Sequence, residues 1–454
     1  MSAPVIRDNS HFHLIGIAGI GMSALAHLLL EKGKTVSGSD LQITPLVQSL
    51  EQKGAKIFGS HHPSHVNQKQ VVVYSSSISE ENIEFKVAKS IGSTMMHRCD
   101  LLDALIFPQK PILIAGAHGK TSTTAILSYL LDECGLQPSF AVGGVMKNFM
   151  TNAKQGKGEF FVAEADESDG SFLKTPSYGA IITNVDKEHL DFWKTYEGLK
   201  DGYKRFIQQV QNPKALFIPY EDPFLKNVAY RATTYGFDEK ADIRIQSFTS
   251  SSDGSRFSLF IDHEVLGPFY LPLHGLHQIL NATAAIAMAI HLGARVEAVQ
   301  LALPSFLGVK RRLDCLGTVQ EITIYDDYAH HPTEVKVTLE ALKQSIGDRK
   351  LITVFQPHRY TRLLDHYQAF ANSFNASDYT FILEVYSAGE SRIEGVEADL
   401  ILKNMDSAVV KQVSKSSLIE SLYESVNSGD VVVFMGAGDV SKLSYEYYSR
   451  LKNS

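Results

Sequence analysis

The stretch ILIAGAHGKTSTTAILSYLLDECG, residues 112–135, decides how this chain folds. An apolar run leads into a glycine turn, and a longer run of helical character follows, which is the order of a buried strand, a phosphate loop and a helix. The common phosphate loop places roughly four residues between its glycines. Here only Ala117 and His118 separate Gly116 from Gly119. Gly116 and Gly119 permit a tight backbone, Lys120 supplies a fixed positive charge to β and γ phosphates, and Thr121 offers a hydroxyl to magnesium. A chance Gly-Lys-Thr in a turn is the alternative, but one set between a buried strand and a long helix is far rarer than the tripeptide itself.

Upstream, the first hundred residues also alternate between strand and helix. HFHLIGI (11–17) reads as a strand, AGIGMSALAHLLLEKG (18–33) as a glycine turn entering a helix, and KTVSGSD (34–40) as a second strand. LVQSLEQKG (46–54) reads as helix, AKIFGS (55–60) and QVVVYSSS (70–77) as strands, together a parallel β-α-β-α-β unit. Its glycines, Gly16, Gly19 and Gly21, are spaced G-x-x-G-x-G, not the G-x-G-x-x-G of a dinucleotide site. A pyrophosphate could still be held at this helix N-terminus, with Asp40 near a ribose hydroxyl. On this segment alone an NAD-dependent dehydrogenase is the rival reading. FPQKP (107–111) is then a linker, and the second glycine loop, which a dehydrogenase would not explain, begins after it.

Downstream, EFFVAEADESDGSF (159–172) is an apolar strand ending in carboxylates. A carboxylate there, beside a phosphate-loop strand, is where nucleotide hydrolases place a magnesium ligand. Glu164 is the first choice, with Asp166 and Glu167 read as ordinary solvated residues. YGAIITNVDKEHLDFW (178–193) is another buried strand followed by a charged turn. On spacing alone His189 in that turn reads as a capping or surface residue.

Composition sets the outer bounds. A chain of 454 residues with 44% hydrophobic content predicts about three domains. Forty-three basic and 50 acidic residues, scattered to a net charge of −7, form no basic stripe, so nucleic acid is not expected as a partner. No apolar run reaches the roughly eighteen residues of a membrane span, and MSAPVIRDNS lacks a signal-peptide pattern, so a soluble cytoplasmic protein is expected. Cys99, Cys134 and Cys315 form no paired motif and read as buried free thiols.

The motifs in series, GAHGKTST, EADESD, NVDKEHLD, VKRRLD (309–314) and YDDYAHHPTE (325–334), resemble those of the Mur ligases, ATP-dependent enzymes that build the peptide stem of peptidoglycan. The short phosphate loop is typical of that family. The resemblance runs along the whole chain, through LIGIAGIGMSALA (14–26), GSD (38–40), SSSI (75–78), FQPHRYTR (355–362) and VVVFMGAGDV (431–440). It implies three α/β domains, each an open and mostly parallel sheet: a Rossmann-like domain for a nucleotide sugar (1–108), an ATP-binding domain (109–312) and a Rossmann-like amino-acid domain (313–454). The substrates it implies are UDP-N-acetylmuramate, L-alanine and ATP. A recycling ligase adding a tripeptide to the same sugar is the alternative, which Ser168 and the Ile20-Gly21-Met22-Ser23 run disfavour. A monomer or weak homodimer is expected.

By the same resemblance, Gly19, Ile20, Gly21, Met22, Ser23, Asp40, Ser75, Ser76, His97 and Arg98 bind the sugar nucleotide. Gly116, His118, Gly119, Lys120, Thr121, Ser122 and Asn281 bind ATP, with Arg312 and Asp327 approaching it. Ala18 and Gln278 depart from the family pattern, at a glycine and an asparagine respectively. Two magnesium ions are implied, one on Thr121 and Glu164, the other on Glu164 and His189. Tyr328, His330, Arg359 and Arg362 are implied at the intermediate and the incoming amino acid, while His331 reads as structural and Arg311 as solvated. A strand-rich insertion is expected near 214–275. Three substrates on three domains require closure, with hinges expected near 107–111 and 312–318.

Overall fold

The computed structural model describes residues 6, 11–229, 231–251, 253–405 and 410–453; of the N-terminal stretch examined for a signal sequence, all but Ile6 lies outside them. Three sheets carry the chain. In the first, the strands Lys56–Phe58, Thr35–Ser39, His11–Ile15, Gln70–Tyr74 and Thr94–His97 lie in that spatial order and are all parallel. The order reverses between His11–Ile15 and Gln70–Tyr74, the kind of switch point at which open α/β sheets bind ligands. The helix Ile20–Glu31 follows the central strand His11–Ile15 after a four-residue glycine turn.

His13 sits fully buried in the first strand, an apparent conflict with its apolar neighbours. A polar cluster resolves the conflict: His13 reaches Ser37 Oγ at 2.9 Å, and Glu84, also fully buried, is met by His13, Ser39, His61 and His65. Burial alone would raise the Glu84 pKa, but hydrogen bonds from His13, Ser39 and His65 draw it down to about 2. Ser39 is therefore fixed, and its carbonyl accepts from the Gly16 and Ile17 amides at 2.8 and 3.1 Å, which sets the glycine loop.

In the second sheet the phosphate-loop strand, Lys110–Ala115, lies between Phe160–Glu164 and Gly179–Ile182, parallel to both. Ile114 pairs with Glu164 and Ala115 with Ile182, so three loops leave the sheet at one edge: the phosphate loop, the acidic loop and the turn carrying His189. The expected insertion is present as strands from Leu216–Pro219 through Glu264–Leu271 that extend this sheet. The third sheet runs Asp314–Val319, Ile322–Asp327, Val431–Met435, Leu351–Phe355, Tyr379–Ile382, Val410–Gln412, parallel except for its first, antiparallel member.

The chain forms two compact units, one of residues 1–247, 257–269 and 280–307, the other of 248–256, 270–279 and 308–454. Among the described residues no helix is long and apolar enough to cross a membrane. Three local readings are corrected. The linker is shorter than FPQKP, because Lys110 and Pro111 already belong to the strand. Ile83–Ser90, Thr94–His97 and Arg98–Ile106 add two helices and an edge strand around the first sheet. Cys315 is exposed, and Cys99 and Cys134 are only partly buried.

Candidate functional site

Gly116 and Gly119 shape the phosphate loop through conformations that residues with side chains rarely adopt. Gly116 has φ of 132°, and a Cβ there would lie 2.0 Å from Thr183 Oγ1. Gly119, at φ 82°, caps the helix Lys120–Glu133, and its Cβ would lie 2.6 Å from Asn281 Oδ1. Asn281 thus packs on the loop, one turn from the buried Gln278. The loop is pinned from Gly179–Ile182's exit: the His118 amide donates to Asn184 Oδ1 at 3.0 Å, Thr183 Oγ1 and Asn184 Nδ2 donate to the His118 carbonyl, and the His118 ring meets Asp186 at 3.0 Å. The start of the helix, with Thr121 and Ser122 buried in its first turn, has the amide orientation and dipole that suit a phosphate.

Lys120 does not point into open space. Its ammonium donates to both Glu167 oxygens, at 2.8 and 2.9 Å, and to the Gly116 and Ala117 carbonyls. Burial disfavours its charge, but Glu167 and Asp166 more than offset that and hold its pKa above the ordinary lysine value. Glu167 is 1% exposed, contrary to the solvated role expected of it. The Trp193 indole N–H holds its backbone carbonyl at 2.9 Å, which keeps the carboxylate turned inward.

Two sets of donor atoms fit divalent cations. Thr121 Oγ1 and Glu164 Oε2 are 3.2 Å apart, and the other Glu164 oxygen accepts the Gly143 amide. His189 lies 3.7 Å from Glu188 and 4.0 Å from Glu167, and these three offer donor atoms all within 4.8 Å of one another. Oxygen donors supplemented by one imidazole suit magnesium or manganese. His189 stands in a left-handed conformation, φ 54° and ψ 35°, at the start of the helix Leu190–Trp193. That strain is of the sort found where a side chain must be aimed. The sequence places Glu167 behind Glu164 as a solvated alternative and does not single out Glu188, although an acidic residue directly before His189 was a usable signal.

Around the first glycine loop, Gly19 and Ile20 are exposed, whereas Met22 and Ser23 are buried, Ser23 taking the Asn152 amide at 3.2 Å. Asp40 holds the Ala18 and Gln42 amides, each at 3.0 Å, so its carboxylate braces the loop. Ser75 is half-buried; Ser76 meets His97 at 3.1 Å and donates to Asp169 at 2.9 Å. Arg98 reaches Asp166 at 2.8 Å and Asp169 at 3.6 Å, and a Cβ on Gly21 would lie 3.4 Å from its guanidinium. The cation therefore stands beside the start of the helix Ile20–Glu31.

The second compact unit holds its own cluster. Asp327 is buried and accepts the Leu313 and Ala329 amides at 2.5 and 2.7 Å; burial pushes its pKa up to about 6 despite Arg312. Arg311 and Arg312 both lie over the Tyr328 ring, at 4.8 and 5.0 Å. Arg311 is not solvated: it donates to the Gly436 and Gly438 carbonyls. His330 Nδ1–H donates to the Tyr328 carbonyl at 2.9 Å, and the ring is driven by burial down to about 3, hence neutral near pH 7. His331 caps the helix Pro332–Ile346 through a reciprocal bond with Glu334, the structural role expected of it. Arg362 lies 3.3 Å from His358, and Arg359, 46% exposed at its side chain, stands at φ 71° before the helix Tyr360–Ala371.

Three family models match in series: the Mur ligase family catalytic domain at residues 11–108, the Mur ligase middle domain at 114–289, and the Mur ligase glutamate ligase domain at 311–438. Similar curated proteins include the UDP-N-acetylmuramate–L-alanine ligases of Protochlamydia amoebophila (38% identical, 98% of each chain), Aquifex aeolicus (38%, 96% of each) and Desulforapulum autotrophicum (40%, 96% of this chain and 98% of that one). Among solved structures, the UDP-N-acetylmuramate-alanine ligase of Thermotoga maritima aligns with a TM-score of 0.86 at 25% identity, over 98% of this chain and 99% of that one. A murein peptide ligase from Psychrobacter arcticus shares the fold at 0.74 and 23%, over 98% and 99%. With identity of this order over nearly the full length, the chain belongs to the Mur ligase family.

Proposed function

We propose that this chain joins L-alanine to the lactyl carboxylate of UDP-N-acetylmuramate, with ATP consumed to ADP and phosphate, in the cytoplasmic assembly of peptidoglycan precursors. The observation that carries this reading is the similarity, at 38–40% identity and nearly full length, to ligases of that name. The chemistry it requires is activation of a carboxylate: the lactyl oxygen attacks the γ-phosphate, and the amine of alanine then displaces phosphate from the acyl phosphate. Such a transfer is catalysed by positioning and by neutralising charge.

The residues are suited to those tasks. Gly116, His118, Gly119, Thr121 and Ser122 shape the phosphate cradle, Asn281 packs against it, and Lys120 supplies positive charge. Thr121 with Glu164, and His189 with Glu167 and Glu188, would hold magnesium, which when bound screens the repulsion between carboxylate and phosphate. His330 is neutral near pH 7 and so adds no charge that would repel the incoming ammonium, while Arg359, 4.0 Å from Glu390, and Arg362, 3.3 Å from His358, carry guanidinium groups suited to a carboxylate or phosphate. Arg312 and Asp327 serve ATP in this reading, and Arg98 with Ser76 serves the sugar diphosphate.

The test is ADP release with UDP-N-acetylmuramate and magnesium against a panel of amino acids and the recycling tripeptide. Turnover with L-alanine well above glycine, serine and the tripeptide is expected. Turnover with the tripeptide alone would replace this reading by the recycling one.

A further inference from the structure

Two glycine loops, each opening a helix, face one acidic loop. Arg98 stands at the start of the helix Ile20–Glu31 and Lys120 at the start of Lys120–Glu133, the two places where phosphates are favoured. Neither cation is open. Arg98 is held by Asp166 at 2.8 Å and Lys120 by the next residue, Glu167, at 2.8 and 2.9 Å. Asp169 adds a second carboxylate on Arg98 at 3.6 Å and also takes Ser76.

The loop that bears these carboxylates is braced as one piece. The Ser168 amide donates to Asp166 at 3.0 Å, the Ser171 amide to Asp169 at 3.0 Å, Ser171 Oγ to the Asp166 carbonyl at 3.3 Å, and the Trp193 indole to the Glu167 carbonyl at 2.9 Å. Asp166 and Glu167 are adjacent, so one cannot withdraw far without the other.

We infer that residues 166–169 are an internal counter-ion for both phosphate sites, which either anionic substrate displaces and whose displacement readies the other site. This rests on the functional reading above for the identity of the two ligands. A phosphate reaching Lys120 must take it from Glu167, and a diphosphate reaching Arg98 must take it from Asp166. Since Asp166 and Glu167 are neighbours on one hydrogen-bonded backbone, a shift that takes Glu167 off Lys120 would also draw Asp166 off Arg98, so that the first ligand to bind removes the competing carboxylate from the second cation as well. The two substrates then bind with positive coupling, and by linkage each tightens the other by the same factor. Asp166 and Glu167 act here as positioning residues, through the cations they hold.

The test is calorimetric binding to the full chain with EDTA present, so that a metal-ligand role of Glu167 does not enter. In the wild type, ATP and UDP-N-acetylmuramate should each tighten the other about 5-fold or more. Glu167→Gln should bind metal-free ATP about tenfold more tightly than wild type, since an amide competes less well for the ammonium. Asp166→Asn should do the same for UDP-N-acetylmuramate, and in the double variant the coupling should fall towards one. A purely structural role would instead weaken binding in the variants. Both ligands binding wild type without positive coupling, unchanged or weaker ATP binding by a folded Glu167→Gln, or full coupling in the double variant would each overturn the inference. The wild-type measurement stands even if a variant does not fold. Failure of the wild type to bind UDP-N-acetylmuramate at all would overturn the functional reading and this inference with it.

Discussion

Replacing Lys120 by methionine should cost stability as well as activity, for a reason the sequence does not contain. Glu167 is 1% exposed at its side chain and Lys120 17%, and the ammonium bonds both carboxylate oxygens. Methionine fills the lysine stem's volume but leaves a buried carboxylate without its main partner. Breaking a buried pair in this way costs about 3–5 kcal/mol. His189, 4.0 Å from the same carboxylate, and the residual exposure of Lys120 place the expected cost at the lower end, about 3 kcal/mol. For a domain of this size that is roughly 6–12 °C in Tm. Lys120→Met/Glu167→Gln removes both charges and should recover most of the loss, while ADP release remains absent in both variants. Binding of UDP-N-acetylmuramate should persist, because its proposed loop lies on another sheet. Differential scanning calorimetry of the single and double variants reads the result. A single variant as stable as wild type, or a double variant no better than the single, would refute the buried-pair argument.

Gly116→Ala should damage the phosphate loop more than Gly119→Ala. The first Cβ meets Thr183 Oγ1 at 2.0 Å and Asn184 backbone at 3.1 Å, whereas the second meets the Asn281 side chain, so Asn281→Ala should partly rescue ATP binding by Gly119→Ala only. Asp326 is fully buried with Oδ1 unpartnered, and burial pushes its pKa up to about 6. A raised carboxyl pKa favours the folded state below the unfolded value near 4, and that benefit is lost as pH rises through about 6. Asp326→Asn should therefore lessen the fall in urea midpoint between pH 4 and 6 and gain about 2–3 kcal/mol at pH 7; an unchanged pH slope would count against it. Arg362→Ala should lose about 2–5 kcal/mol in kcat/KM for alanine with ATP affinity nearly unchanged, and lost ATP affinity with normal turnover at saturation would move this arginine to the nucleotide site.

The fold was legible where local physics decides it. An apolar run, glycines that alone tolerate φ of 132° and 82°, and a helical run located the strand, loop and helix of the phosphate site. The segment 83–106 was not assigned, since its elements are short and half-buried, with no long apolar period. Among the acidic residues after Phe160–Glu164, sequence could not choose which turns inward. That choice is made by Trp193, 26 residues on, whose indole pins the Glu167 carbonyl. Arg311 likewise looked like half of a solvated basic pair; the carbonyls that occupy it, at Gly436 and Gly438, are more than 120 residues away. His97 and Arg98 were reached by family resemblance alone, because nothing in their spacing announces Ser76, 21 residues before His97, or Asp166, 68 residues after Arg98.

In the proposed reaction this chain activates the lactyl carboxylate of UDP-N-acetylmuramate with ATP and delivers it to L-alanine. The most direct measurement labels both oxygens of that carboxylate with oxygen-18, supplies ATP, magnesium and L-alanine, and weighs the products by mass spectrometry. The expected product is the alanyl amide of the nucleotide sugar with one labelled oxygen kept at the new amide carbonyl and the other carried into inorganic phosphate. Absence of the amide product would contradict the assigned reaction, and amide formed alongside unlabelled phosphate would contradict activation through an acyl phosphate.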